Sequence, residues 1–237
     1  MQYTGSKRRI AKEIIPIMEK VRNGRIWVEP FVGGANLIDK VQGERIGADS
    51  NHYIIALLQA MQNGWLPPTT ITEWEYNEMK AAPELYPAEL IGFAFTACSF
   101  GGIWANSYAR GHSKSGEPRN YAREVRSYIQ KQAPNLEGVK FVHSSYEALD
   151  IPDNSLIYCD PPYAKTVRYK DAFDSAKFWE WARRKSQEGF PLFVSEYEAP
   201  EDFVAIWQKE IPVTLNNQGN STKRSAVEKL FIYSELI

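Results

Sequence analysis

The 237 residues are 43% hydrophobic and 13% aromatic, enough for one large packed domain or a domain carrying an insertion. With 28 Lys+Arg against 29 Asp+Glu the formal net charge is −1, so any contact with nucleic acid has to come from a local basic patch. No apolar run reaches the ~20 residues of a membrane span, Met1-Gln2-Tyr3-Thr4-Gly5 does not read as a signal peptide, and the His and Cys residues lack metal-ligand spacing. These exclusions point to a cytoplasmic protein with no metal and no membrane anchor, in which Cys98 and Cys159, each in an apolar run, are buried reduced thiols.

In chain order, residues 7–20 read as a helix with Ile10, Ile14, Ile15, Ile17 and Met18 on one side and Gly5-Ser6 at its start. Such a start offers free N–H groups and a positive dipole, and Lys7 adds charge, so a carboxylate could dock there. The competing reading makes Lys7-Arg8-Arg9 a solvated basic face. Residues 25–29 read as a strand ended by Pro30, and Phe31-Val32-Gly33-Gly34-Ala35-Asn36 turns into a short helix near 37–41. Strand, glycine turn and helix form a cradle of the nucleotide-binding type, because glycine lets backbone approach a ligand with no Cβ in the way. Residues 44–48 make the next strand and end at Asp49. An acid there, roughly twenty residues after a glycine turn, suits a ribose diol. Asp49 is also a good N-cap for the helix expected over 53–63.

Residues 64–68 break the pattern. Thr72-Glu73-Trp74-Glu75 has the form of a capping box, which predicts a helix to residue 82. A further helix is expected from Pro87 to about residue 100. The segment that follows is rich in glycine, aromatics, amides and cations: Arg110, Lys114, Arg119, Arg123, Arg126 and Lys131 face only Glu117 and Glu124. Such a composition suits phosphates and base edges, although an ordinary surface loop would look similar. Asn106, Tyr108 and Arg110, nearer the loop tip, are candidates for base edges or for filling the gap behind a flipped base. Lys114, Arg119, Arg123 and Arg126 are the other candidate DNA contacts, with 123 and 126 on one face of a helix from about residue 121.

The alternation resumes with strands over 139–143 and 155–159. The second is the apolar run Ser155-Leu156-Ile157-Tyr158-Cys159, which reads as a buried parallel strand. Asp160-Pro161-Pro162-Tyr163 ends it, since two prolines donate no ladder hydrogen bond. The carboxyl end of a strand is where open α/β sheets bind ligands. Asp160 Oδ and the Pro161 carbonyl are two acceptors for the two hydrogens of an exocyclic amine, and Tyr163 could stack on the ring that carries it. The plain alternative is a proline turn. Lys165, Arg168 and Lys170 follow as a short basic loop, then a helix over 174–188 capped by Asp174, and a strand over 191–195. Pro200 is expected to open a helix to about residue 209. Residues 213–215 and 227–233 read as a closing strand pair, with a polar connection over 216–225 that includes Lys223-Arg224.

The order and wording of these motifs resemble the Dam family of DNA adenine N6-methyltransferases. The matching stretches are Tyr3-Thr4-Gly5-Ser6-Lys7, Val28-Glu29-Pro30-Phe31-Val32-Gly33-Gly34, Ala48-Asp49-Ser50-Asn51, Ser144-Ser145-Tyr146, Tyr158-Cys159-Asp160-Pro161-Pro162-Tyr163, Ser195-Glu196-Tyr197 and Lys229-Leu230-Phe231-Ile232-Tyr233. The likeness covers the chain except its middle. Family members carry Trp where Tyr3 stands and Gly where Ser6 stands, and their middle region is longer, so no recognition sequence is implied.

The resemblance implies S-adenosyl-L-methionine as cofactor. Its site would include Tyr3, Lys7 near the methionine carboxylate, Phe31, Gly33, Gly34, Asp49 at the ribose, and Asp160. Asp160, Pro161, Pro162 and Tyr163 would form the catalytic motif, acting on N6 of an adenine flipped out of double-stranded DNA. The implied fold is α/β: a doubly wound, Rossmann-like methyltransferase sheet with an antiparallel closing strand. Residues 1–64 and 139–237 would form the catalytic body, and 65–138 a small, mainly helical inserted target-recognition region. The expected setting is a bacterial or phage-infected cell, with the protein a monomer or weak dimer. Cytosine N4 or an RNA adenine as target, or a catalytically silent DNA-binding regulator, remain open alternatives.

Overall fold

The structure is a computed structural model describing residues 5–162, 173–217 and 220–236; for 212–217, 220–224 and 236 it describes backbone only. Strands β1 (Ile26–Glu29), β2 (Arg45–Asp49), β3 (Val139–His143), β4 (Ser155–Cys159) and β5 (Leu192–Glu196) run parallel. Strands β6 (Phe203–Asn217) and β7 (Asn220–Tyr233) make a long antiparallel hairpin, and β7 also pairs antiparallel with β5. Among the described residues these form one seven-stranded sheet in the order β3-β2-β1-β4-β5-β7-β6. The chain winds outward from β1 to β3 on one side and from β4 to β6 on the other. The reversal therefore falls between β1 and β4, the position at which doubly wound sheets open a crevice. The expected Rossmann-like architecture with antiparallel closing strands is what the structure has.

Helices α1 (Ala11–Arg22), α2 (His52–Gln62), α3 (Glu73–Ala81), α4 (Ala88–Ala97), α5 (Tyr121–Gln132) and α6 (Ser175–Gln187) cover the sheet. All five residues of β4 are buried, and successive side chains serve opposite faces. Leu156 and Tyr158 join the core built with Ile14, Leu57, Phe93 and Ile129 of α1, α2, α4 and α5. Ile157 and Cys159 join the core built with Phe178, Trp181 and Ala182 of α6. Burial on both faces explains the unbroken apolar run in the sequence. Helices α4 and α5, from the segment read as an insertion, share the core of α1 and α2. At Gly92 an added Cβ would lie 2.2 Å from the Tyr53 carbonyl oxygen, so only glycine lets α4 lie this close to α2.

Four local expectations are corrected. The helix expected over 7–20 is a 3-10 turn, Lys7–Arg9, followed by α1 from Ala11, with Ser6 accepting a hydrogen bond from the Arg8 N–H. The helix expected to reach about residue 100 stops at Ala97. The helix expected over 200–209 is instead the first part of β6, and much of the expected connection over 216–225 is β7. The cause is a bulge: the register with β7 shifts between Ala205 and Trp207, which breaks the two-residue alternation a strand would otherwise show. Pro212 is tolerated because β6 lies at the edge of the sheet.

Candidate active site

The glycine turn and the Asp-Pro-Pro step meet at the switch point. Val28 of β1 is paired with Ile157 of β4, so both strands end side by side. Beyond β1 the Val32 N–H donates to the Ala48 carbonyl at 2.8 Å, tying the turn to β2. Gly47 of β2 makes room for this: a Cβ there would lie 2.8 Å from Val32 Cγ2 and 3.0 Å from the Phe141 ring. Gly33 (φ 45°) and Ala35 (φ 53°) both take left-handed backbone, and Gly33 and Gly34 are buried. Asp49 closes the turn by accepting from the Gly33 N–H at 3.0 Å and from the Asn51 N–H at 2.9 Å. Its carboxyl is raised above the ordinary value by burial, against the lowering effect of those two N–H groups and His143. Asn51, not Asp49, caps α2, accepting from the Tyr53 N–H at 3.1 Å.

Lys7 is only 5% exposed and lies against Asp160, Nζ to Oδ1 at 2.8 Å. Glu228 of β7 is 3.8 Å from the same ammonium, and the Gly5 carbonyl accepts from it at 3.0 Å. The reading of Lys7-Arg8-Arg9 as a solvated face therefore holds for exposed Arg8 and Arg9 and fails for Lys7. Near this cation lie the carboxyls of Asp160, Glu228 and Glu196, and Glu29 in turn faces Asp160. Burial pushes Glu196 up to about 7, helped by Asp160 and Glu228. Burial pushes Glu29 up to about 8, although the Trp27 Nε1–H donates to it at 2.8 Å. Asp160 and Glu228 set two carboxylates against one ammonium beside the glycine turn, a balance that suits a ligand carrying positive charge.

Phe31 turns its ring toward Tyr146 (5.3 Å), Phe178 (5.6 Å) and Phe173 (5.8 Å), an aromatic wall beside the end of β4. Pro161 is buried and Pro162 half-buried. Tyr3, Tyr163, Lys165, Arg168 and Lys170 lie outside the described residues, as do the side chains of Lys223 and Arg224. The structure thus brings together Lys7, Phe31, Gly33, Gly34, Asp49, Asp160, Pro161 and Pro162. Among the described residues no group of His, Cys, Asp or Glu is arranged to hold a metal ion. No described helix is long and apolar enough to cross a membrane.

The expected DNA contacts are distributed unevenly. Lys114 and Arg123 are exposed. Arg110 pairs with Glu73 of α3, and Arg119 pairs with Glu124 while lying over the Tyr121 ring. Arg126 donates to the Pro67 carbonyl. Tyr108 is half-buried, its hydroxyl donating to the Ile71 carbonyl at 2.7 Å and its ring against Tyr76. The Asn106 carbonyl accepts from the Tyr76 hydroxyl at 2.8 Å. Tyr108 and Arg126 thus serve the packing of this region.

Three further residues stand at the site with little in the local sequence to assign them a role. Glu228 sits in a strand of mixed polarity. Glu29 reads as the polar end of a strand. Gln132 of α5 is buried and donates to the carbonyls of Gly34 (3.0 Å) and Ala35 (2.9 Å). Its spacing from Val125 and Ile129 marks a core-facing position, and a polar residue there is the one hint the sequence offers.

Residues 3–87 match the family model of D12 class N6 adenine-specific DNA methyltransferases. The chain is also 25% identical over 207 residues to the type II methyltransferase M.FokI of Planomicrobium okeanokoites, an alignment covering 76% of this chain and 31% of that protein. It therefore spans about a third of the length of that relative. Both matches are to methyltransferases, and the family model is of DNA adenine methyltransferases, in agreement with the resemblance read from the ordered motifs.

Proposed function

We propose, from that kinship, that this chain transfers a methyl group from S-adenosyl-L-methionine to N6 of an adenine flipped out of double-stranded DNA. The observation that carries the reading is the meeting at one switch point of Asp160-Pro161-Pro162, a glycine turn closed by Asp49, and buried Lys7 paired with Asp160 at 2.8 Å. The residues fit the donor. Gly33 and Gly34 leave the wall of the crevice open to a flat ligand. Asp49, at the end of β2, suits ribose hydroxyls. The carboxyl-rich surroundings of Lys7 suit a sulfonium and an ammonium.

S-adenosylmethionine supplies an electrophilic methyl group on that sulfonium. The adenine N6 lone pair is delocalised into the ring, so the amine is a weak nucleophile. Asp160 and the Pro161 carbonyl accept its two hydrogens, favour a tetrahedral nitrogen, and stabilise the positive charge that grows on it as the N–C bond forms and the C–S bond breaks. The nitrogen then gives up one proton to the Asp160 carboxylate, which is part-exposed and passes it to solvent. Lys7 fixes the orientation of the Asp160 carboxylate, and Tyr163 stacks on the flipped base. Cys159 takes no part, since burial raises its thiol well above the ordinary value. Residues 65–138 read the DNA, with exposed Arg123 and Lys114 as phosphate contacts.

The test is incubation of unmethylated DNA with tritiated S-adenosylmethionine and nucleoside analysis of the product. N6-methyladenine is expected from the parent. Asp160→Ala, in which Glu228 still faces Lys7, is expected to remain folded with some loss of stability and to lose turnover by about 10²–10³-fold or more, the scale for removing one preorganised group from a reacting centre. N4-methylcytosine as product, or near-parental turnover in Asp160→Ala, would overturn the reading.

A further inference from the structure

Helix α5 buries Ala122, Val125, Ile129 and Gln132 on one face, at the spacing of a core stripe. Three of the four are apolar. The fourth places an amide, 6% exposed, where leucine or methionine would fill the same volume. A buried amide is costly unless its hydrogens find acceptors. The Gln132 Nε2 group finds two, the carbonyls of Gly34 and Ala35 at 3.0 and 2.9 Å. These belong to the turn in which Gly33 and Ala35 hold left-handed backbone, a conformation that costs a non-glycine residue free energy and persists only where its surroundings enforce it. Other bonds hold the turn from the sheet side, Gly33 N–H to Asp49 and Val32 N–H to the Ala48 carbonyl at 2.8 Å, while Ala35 N–H closes the turn on the Val32 carbonyl at 2.8 Å. Gln132 holds it from the helix side. Because a trans peptide points its carbonyl and N–H in opposite directions, fixing the Gly34 and Ala35 carbonyls also fixes the direction of the following N–H groups.

We propose that Gln132 is a positioning residue for S-adenosylmethionine: its amide sets the shape of the Gly33–Ala35 wall before the ligand arrives, so that binding does not have to order it. The proposal rests on the cofactor site described above and adds to it a residue from the segment otherwise assigned to DNA. An apolar residue at 132 preserves packing and removes the grip, leaving the turn to sample other backbone arrangements. Its effect falls on cofactor affinity, not on DNA affinity and not on the chemical step once cofactor saturates.

The experiment compares parent, Gln132→Leu and Asp49→Ala. Titration calorimetry measures S-adenosylmethionine affinity, filter binding measures DNA affinity without cofactor, and steady-state kinetics separate KM for each substrate from kcat. Amide exchange at residues 33–36 is followed in the ligand-free proteins. Gln132→Leu is expected to weaken cofactor binding and raise its KM by about 30-fold, the effect of two neutral hydrogen bonds of typical net strength. Faster exchange at 33–36 should accompany this, with DNA affinity and kcat at saturating cofactor within twofold of parent. Unchanged cofactor affinity in Gln132→Leu together with weakened affinity in Asp49→Ala would overturn the role of Gln132 and leave the cofactor site standing. Unchanged affinity in both would overturn the site itself. If Gln132→Leu does not fold, Gln132→Met, closer in shape, is measured instead. Failure of both to fold would also overturn the proposal, because Gln132 would then be a stability residue.

Discussion

Glu29 offers a sharp test of the electrostatics behind the glycine turn. It ends β1, is 3% exposed, and accepts from Trp27 Nε1 at 2.8 Å. Burial pushes its carboxyl from 4.5 up to about 8, so it is largely neutral at pH 7. In the unfolded chain the same group ionises near 4.5, so between the two values the native state holds a proton that the unfolded state has released. The stability this confers is fully present below pH 4.5 and is lost as pH rises through about 8. Each pH unit in that window is worth about 1.4 kcal/mol, which makes the loss between pH 5 and pH 8 about 3–4 kcal/mol. Glu29→Gln keeps an acceptor for Trp27 at the same place and cannot ionise. Urea unfolding of parent and variant at matched ionic strength, from pH 5 to 8, isolates the effect, because Glu196 and the surface carboxylates titrate alike in both proteins. The variant is expected to lie close to parent at pH 5 and to exceed it by a few kcal/mol at pH 8. Coincidence of two spectroscopic probes checks that unfolding is two-state. A flat difference between the two proteins, or a parent that gains on the variant as pH rises, would refute the assignment of a neutral buried carboxyl.

Two further predictions concern cations. Lys7→Met removes the buried cation that the Asp160 and Glu228 carboxylates face. A loss of about 2–4 kcal/mol is expected in urea unfolding at pH 7, at the low side of a fully buried pair because the Asp160 side chain is 22% exposed. A variant as stable as parent would remove Lys7 from the role assigned to it. Arg123→Ala is expected to lower the salt slope of DNA binding by about one unit without changing site preference. Arg126→Ala, whose guanidinium is spent on the Pro67 carbonyl, should leave that slope alone and lower the melting temperature. The reverse pattern in the two variants would show that Arg126, not Arg123, is the phosphate contact.

The five parallel strands, the capping box at Thr72, the cap at Asp174, and the stop after Cys159 were legible because each depends on neighbours in the chain. Apolar runs report burial on both faces, short polar side chains report helix starts, and proline ends a ladder wherever it stands. The candidate site was legible as a set of motifs for the same reason. Their assembly was not. That β1 lies beside β4, and that β7 enters between β5 and β6, follows from how crossovers wind and pack. No local pattern states which strand a given strand will neighbour. Strand β6 was misread because its bulge removed the alternation by which a strand is recognised. The pairing of Lys7 with Asp160 and Glu228 joins the first turn of the chain to β4 and β7, and the grip of Gln132 on Gly34 and Ala35 joins α5 to the turn after β1. Such contacts are decided by tertiary structure because a charge or an amide can be buried only where distant segments supply its partners.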